Sequence, residues 1–159
     1  MAIRCKASMW FEAKVSYEMM AEEGMMKTVK MEFVIDALTF GEAEKRVMEE
    51  ASAYASGGVN VLALKIATFK EICFSDSEEA DKWYKVKINQ VIFDEKAEKE
   101  KHTMINILVQ ASSLKNAQQN TEEYMHGSLS DYTIASVTET NIYDVLEYTT
   151  IDDEKPIAD

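Results

Sequence analysis

Cysteine is scarce in this chain. Cys5 and Cys73 are the only two, too few and too far apart for a disulfide framework. We expect reduced thiols in a cytosolic protein, with Cys73 in or near the core. One proline and five glycines among 159 residues leave little room for long linkers, so the length predicts one domain with a real core. Two histidines, His102 and His126, are not spaced as a helical metal pair. There is no glycine-rich phosphate loop, no nucleophile elbow and no paired cysteine motif. No apolar run approaches a membrane span, and "MAIRCKASMWFEAK" carries no targeting signal. Positive charge is outnumbered 17 to 29, for a net charge of −12. That balance argues against a protein that coats nucleic acid over its whole surface.

What the chain does have is a phrase written twice. "WFEAKVSY" begins at Trp10 and "WYKVKINQ" at Trp83, and these hold the only two tryptophans. With the halves set 73 positions apart, Phe11 meets Tyr84, Ala13 meets Val86, Lys14 meets Lys87 and Val15 meets Ile88. After a gain of one residue, Val34-Ile35-Asp36-Ala37 meets Leu108-Val109-Gln110-Ala111, and Ala43 meets Ala117. The first offset then returns, with Leu64 opposite Val137, Glu71 opposite Asp144 and Ile72 opposite Val145. Three blocks in one order point to duplication.

Each half reads as hairpin, helix, strand. Residues 9–19 and 26–38 alternate around the turn "AEEG", a β-hairpin signature. Thr39 and Glu42 have capping-box spacing, ahead of the stripe Phe40, Ala43, Val47, Ala51 and Tyr54. Gly57-Gly58 ends that helix, and a third strand is expected from about Val59 to Phe74. The second half places strands near 83–94 and 101–111, a helix over about Ser113–Met125 with Leu114, Ala117, Thr121 and Tyr124 inward, and a last strand over roughly 131–146. The expected fold is α+β: duplicated ββαβ units (about 9–74 and 83–146) with pseudo-twofold symmetry, antiparallel-rich sheets and helices on one face. They form a single domain over 1–149, followed by an acidic tail at 150–159.

The stretches "WFEAKVSY", "DALTFGEAE", "WYKVKI", "NILVQAS" and "YTIASVTET" resemble an uncharacterised domain family of Bacteroidetes and their phages, catalogued as a domain of unknown function. The similarity covers nearly all of residues 9–147. It implies a bacterial or phage-encoded cytoplasmic protein, and it brings no catalytic residue, cofactor or ligand.

No catalytic or metal-binding set emerges from the residues, so we expect a non-enzymatic binding protein without cofactor. Glu42, Glu44, Glu49 and Glu50 read as the solvated face of the first helix. Met19, Met20, Met25 and Met26 flank the first turn. Thioethers suit copper(I), but flexible filling of a hairpin end or contact surface explains them better. Strand alternation turns Trp10, Lys14, Lys30, Lys65, Phe69, Trp83, Lys85 and Lys87 away from the helices, with Val61 and the acids Glu12 and Glu32. Lysines neutralise phosphates and exposed rings stack on bases. This face is therefore a candidate site for single-stranded nucleic acid in phage or bacterial DNA metabolism.

Two plainer readings stand beside it. The tryptophans would close the ends of the core while the lysines only solvate the sheet, or the face would pack against a second copy as a homodimer. The alternative functions are an acidic adaptor or inhibitor engaging a host or replication protein through its acidic surface and tail, and a sponge for a small anion held by Lys14 or Lys87 and a Trp. No membrane partner is expected.

Overall fold

The structure, a computed structural model, describes residues 3–128 and 130–147; the 150–159 tail lies outside them. The fold is α+β, with two helices and two mixed, mostly antiparallel sheets. The chain forms two compact units, each drawn from separate stretches.

The first unit is built on residues 9–67. Strands β2 (Trp10–Met20) and β3 (Met26–Asp36) form the expected hairpin. Its turn is closed by the Ala21 amide donating to the Met25 carbonyl at 2.8 Å. Gly24 there has φ of 83°, a left-handed conformation that glycine adopts without steric cost. Helix α1 (Phe40–Ser52) starts at Thr39, whose hydroxyl accepts from the Glu42 amide, and stops at Ala53, short of Gly57-Gly58. Tyr54 thus lies beyond the helix. Strand β4 (Val59–Ile66) pairs with the outer side of β2.

The chain then enters the second unit, built on 68–141 together with β1 (Ile3–Lys6). Strand β5 (Glu71–Ser75) pairs parallel with β7 (Lys99–Ala111), which forms a hairpin with β6 (Lys82–Asp94). Helix α2 (Leu114–Met125) is capped by Ser113. Strand β8 (Asp131–Glu139) adds to β6, and β9 (Ile142–Leu146) returns to the first unit, parallel to β3. The sheet orders are β4-β2-β3-β9 and β1-β5-β7-β6-β8.

Two expected strands are therefore each divided. The run 59–74 breaks after Ile66, and 131–146 breaks after Glu139. At the first break the Ala67 amide donates to the Trp10 carbonyl and the Lys70 amide to the Asn106 carbonyl. These bonds assign the chain on either side of the break to different sheets.

The two units agree in local detail. The β2–β4 register shifts after Lys14 and skips Leu62, and the β6–β8 register shifts after Lys87 and skips Ala135. A bulge of this kind puts one extra residue on one strand and reverses its facing. For that reason Val61 joins Leu64 on the core side rather than pointing away from α1. The Leu38 amide donates to Glu42, and the Ser112 amide to Asn116. Arg46 and Asn120, both on the helices, donate to the carbonyls of Asp36 and Gln110.

Around α1, the core gathers Phe11, Ala13, Val15, Phe33, Ile35, Ala43, Val47 and Ala51. Around α2 it gathers Val86, Ile88, Ile107, Val109 and Met125, with Tyr84, Ala111 and Ala117 beside them. Each fully buried large side chain contributes about 1.5–3 kcal/mol. Leu114, expected inward, is exposed at the first turn of α2.

The cysteines depart from expectation. Cys73 is buried, but it is bonded to Cys5 in a disulfide rather than a free thiol. The strand that carries Cys5 was not foreseen.

Candidate functional site

On β2, Phe11, Ala13 and Val15 face α1, so alternation places Trp10, Glu12 and Lys14 on the other side. Directly opposed residues of an antiparallel pair share a face. Lys14 opposes Glu32, and Glu12 opposes Lys65. Lys65 Nζ lies 3.9 Å from Glu12 Oε2. A cavity of about 210 Å³ lies here, its lining including Glu12, Lys14, Glu32, Lys65 and Ala63. The expected lysine strip is thus interleaved with carboxylates in this unit. Lys30 is exposed farther along β3, opposite Ser16.

The matching face of the second unit is different in charge. Lys85 lies between Leu108 and Thr138, and Lys87 between Asn106 and Ser136. Neither has an acid directly across the sheet. Both are exposed.

The three rings of the expected platform are buried. Trp10 is 1% exposed, Trp83 4% and Phe69 7%. Trp83 packs edge-on against Phe74, at 5.6 Å between ring centres. Trp10 Nε1 is buried with no hydrogen-bond partner. Val34 and Val145 are buried on the face away from α1, as are Ile72 and Leu108 in the other unit. The eight expected residues separate physically into five accessible lysines and three buried rings.

Apolar surface is exposed elsewhere. Met19, Met20, Met25 and Met26 are exposed at the end of the β2–β3 hairpin. At the end of the β6–β7 hairpin, Ile92 and Phe93 are exposed beside Asp94, Glu95 and Lys96. That second pair escaped notice in the sequence. The signal was present, because Ile92-Phe93 stands 73 residues after Met19-Met20. Of the four glutamates expected on the solvated face of α1, Glu44 and Glu49 are exposed, whereas Glu42 and Glu50 are half-buried.

Tyr54 packs edge-on against Tyr143 at 5.7 Å and stacks with Tyr17 at 6.4 Å. The Tyr143 hydrogen bond, followed by desolvation, pushes the Tyr54 phenol up to about 12. Burial, then the hydrogen bond to Glu71, raises the Tyr124 phenol as well. Both groups are held as neutral phenols, which suits structure rather than proton transfer near neutral pH. His102 sits on the surface, 3.4 Å from Asn89 and 3.9 Å from Glu100. Among the described residues, no three of His, Cys, Asp and Glu come together in a group that would hold a metal ion. No helix among them is long and apolar enough to cross a membrane.

No curated protein and no solved structure matches the chain. A family model does match, over residues 9–148, and the chain belongs to that family, the Domain of unknown function (DUF4494).

Proposed function

We propose that this chain is a non-enzymatic module that binds another protein through its hairpin ends and acidic helix surface. The observation that carries this reading is the pair of hairpin ends, each presenting an exposed apolar dipeptide, Met19-Met20 and Ile92-Phe93. Exposed methionine and phenylalanine are costly in water and adapt well to a partner. Glu18, Glu22 and Glu23 around the first end, and Asp94 and Glu95 at the second, favour a basic, apolar partner surface.

A second reading keeps single-stranded nucleic acid, held through phosphates alone. Lys85 and Lys87, with only neutral residues opposite them, favour it. The buried rings remove the stacking that would make such binding strong. We further propose that the matching bulges, helix caps and carbonyl bonds descend from a duplicated ββαβ unit with exchanged last strands. The setting we propose is a bacterial or phage cytoplasm.

The test is a titration of the full chain, at several salt concentrations, with a labelled basic amphipathic peptide and with labelled single-stranded oligonucleotides. Peptide binding lost in Met20→Ser and Phe93→Ser supports the first reading. Oligonucleotide binding lost in Lys85→Ala and Lys87→Ala, with no peptide binding, replaces it with the second.

A further inference from the structure

β1 is the edge strand of its sheet, paired with β5 over four residues. None of its residues is fully buried. The strand it covers is different, because Ile72 and Cys73 of β5 have no exposed surface. Cys5 stands directly opposite Cys73, their Cα atoms 4.0 Å apart, and the two sulfurs are bonded. Such close approach belongs to the non-hydrogen-bonded type of antiparallel pair. There the bond adds a covalent hold without replacing a ladder hydrogen bond. One position away, the Arg4 guanidinium lies 4.3 Å from the centre of the Phe74 ring. The two cysteines lie 68 residues apart in sequence and enclose residues 9–67, the main stretch of the other unit.

We propose that Cys5–Cys73 is a reversible redox latch, which holds β1 on the sheet when oxidised and releases it, uncovering the edge of β5, when reduced. The asymmetry of burial sets the chemistry. Cys5 is half-buried and Cys73 is enclosed, so an incoming thiolate attacks Cys5 Sγ. The Cys5–Cys73 bond breaks, Cys73 leaves with the electron pair and takes up a proton, and a mixed disulfide remains on Cys5. The second thiol of a dithiol reductant attacks its partner sulfur in that mixed disulfide and frees Cys5 as a thiol. In sum, the dithiol is oxidised to a disulfide and the protein gains two electrons and two protons.

Once the bond is cut, β1 keeps its pairing with β5 and the Arg4–Phe74 contact, but no fully buried side chain anchors it. Its departure gives solvent access to Cys73 and frees the outer backbone groups of β5, the kind of open edge that accepts another strand. A dithiol reductant opens the latch and a low-molecular-weight disulfide closes it by the reverse exchange, so a reducing compartment favours the open state and an oxidising one the closed state.

The test uses the full chain in two states, oxidised and treated with dithiothreitol under native conditions. Iodoacetamide counts thiols, and hydrogen exchange read by mass spectrometry follows each strand. The oxidised protein is expected to take no label. After reduction, both cysteines label and amides of β1 and β5 exchange at least tenfold faster, while β6, β7 and residues 9–67 do not change. Replacing the reductant with a disulfide oxidant, oxidised glutathione, restores protection: Cys5 and Cys73 re-form their bond by thiol–disulfide exchange and two molecules of reduced glutathione leave. The variant Cys5→Ser reproduces the reduced pattern without reductant. The proposal is overturned by two free thiols in the oxidised protein, or by unchanged β1 protection after reduction. It is equally overturned if reduction, or Cys5→Ser, abolishes protection throughout the five-stranded sheet, since the bond is then a permanent staple.

Discussion

The Tyr124 hydroxyl donates to Glu71 Oε1 at 2.8 Å, tying helix α2 to strand β5. This bond fastens to the second unit the strand that continuous alternation would have joined to β4. Burial and the carboxylate both favour the neutral phenol. The folded-state value therefore lies above the ordinary value of about 10 in an unfolded chain. The stabilisation is complete below pH 10 and is lost as pH rises through the folded value, because the unfolded chain then binds fewer protons. Urea midpoints should fall above pH 10, and less steeply in Tyr124→Phe. Near neutral pH that variant should lose about 1.5–3 kcal/mol, the range for a hydrogen bond to a charged group.

Arg46 and Asn120 offer a paired test of the helix-to-sheet ties. Arg46 bonds the carbonyls of Asp36 and Glu147, and so joins α1 to the end of β3 and to the residue after β9. Asn120 donates to the Gln110 carbonyl at 3.0 Å and is buried. Asn120→Ala leaves one carbonyl short of a partner and should cost about 1–3 kcal/mol. Arg46→Met should cost more than Asn120→Ala. Arg46→Lys should not restore the loss, because an ammonium cannot reproduce the guanidinium fork. Denaturant midpoints of the three variants check the ranking.

How far the fold was legible follows from the range of the forces involved. Alternation, the turn at Gly24, the Thr39 cap and the helical stripes are local, and the hairpins and helices were read from them. The breaks after Ile66 and Glu139 were not, because residues on both sides keep an apolar period. Only the long-range pairing of Ile72 with Leu108 and of Val145 with Val34 separates the strands. The bulges at Leu62 and Ala135 were hidden for the same reason, and with them the inward turn of Val61. Cys5 pairs across 68 residues, a contact that two isolated cysteines do not announce. The lysines were placed correctly on the surface, since a long charged chain has nowhere else to go. A tryptophan at a strand end is equally suited to a platform or a plug, and period alone cannot choose.

The tryptophans should answer to substitution as core residues. Trp83→Ala should cost roughly 3–5 kcal/mol, the range for deleting a buried aromatic ring. Trp10→Phe should be much milder than Trp10→Ala. It keeps a ring in place and removes an indole N–H that is buried without a partner, which itself costs about 1–3 kcal/mol. Thermal unfolding of the three variants decides the point, and a Trp83→Ala protein as stable as the parent would reopen the stacking role.

The hairpin ends should behave in the opposite way. Met20 and Phe93 are 57% and 61% exposed, so truncating them removes little buried area. Met20→Ser and Phe93→Ser should each change stability by no more than about 0.5 kcal/mol, as expected of surface positions. If these side chains anchor a protein partner, the same changes should cost binding at least tenfold, because apolar contact concentrated in a few residues dominates interface energy. Salt should act on a different quantity. A basic partner is steered by the carboxylates around the hairpins, so raising ionic strength should slow association more than it speeds dissociation. Stopped-flow association of the labelled basic peptide, with unfolding curves on the same samples, separates the two effects. Binding that survives both substitutions would move recognition away from the hairpin ends. Binding lost together with stability would mean that the exposed pair supports the fold instead.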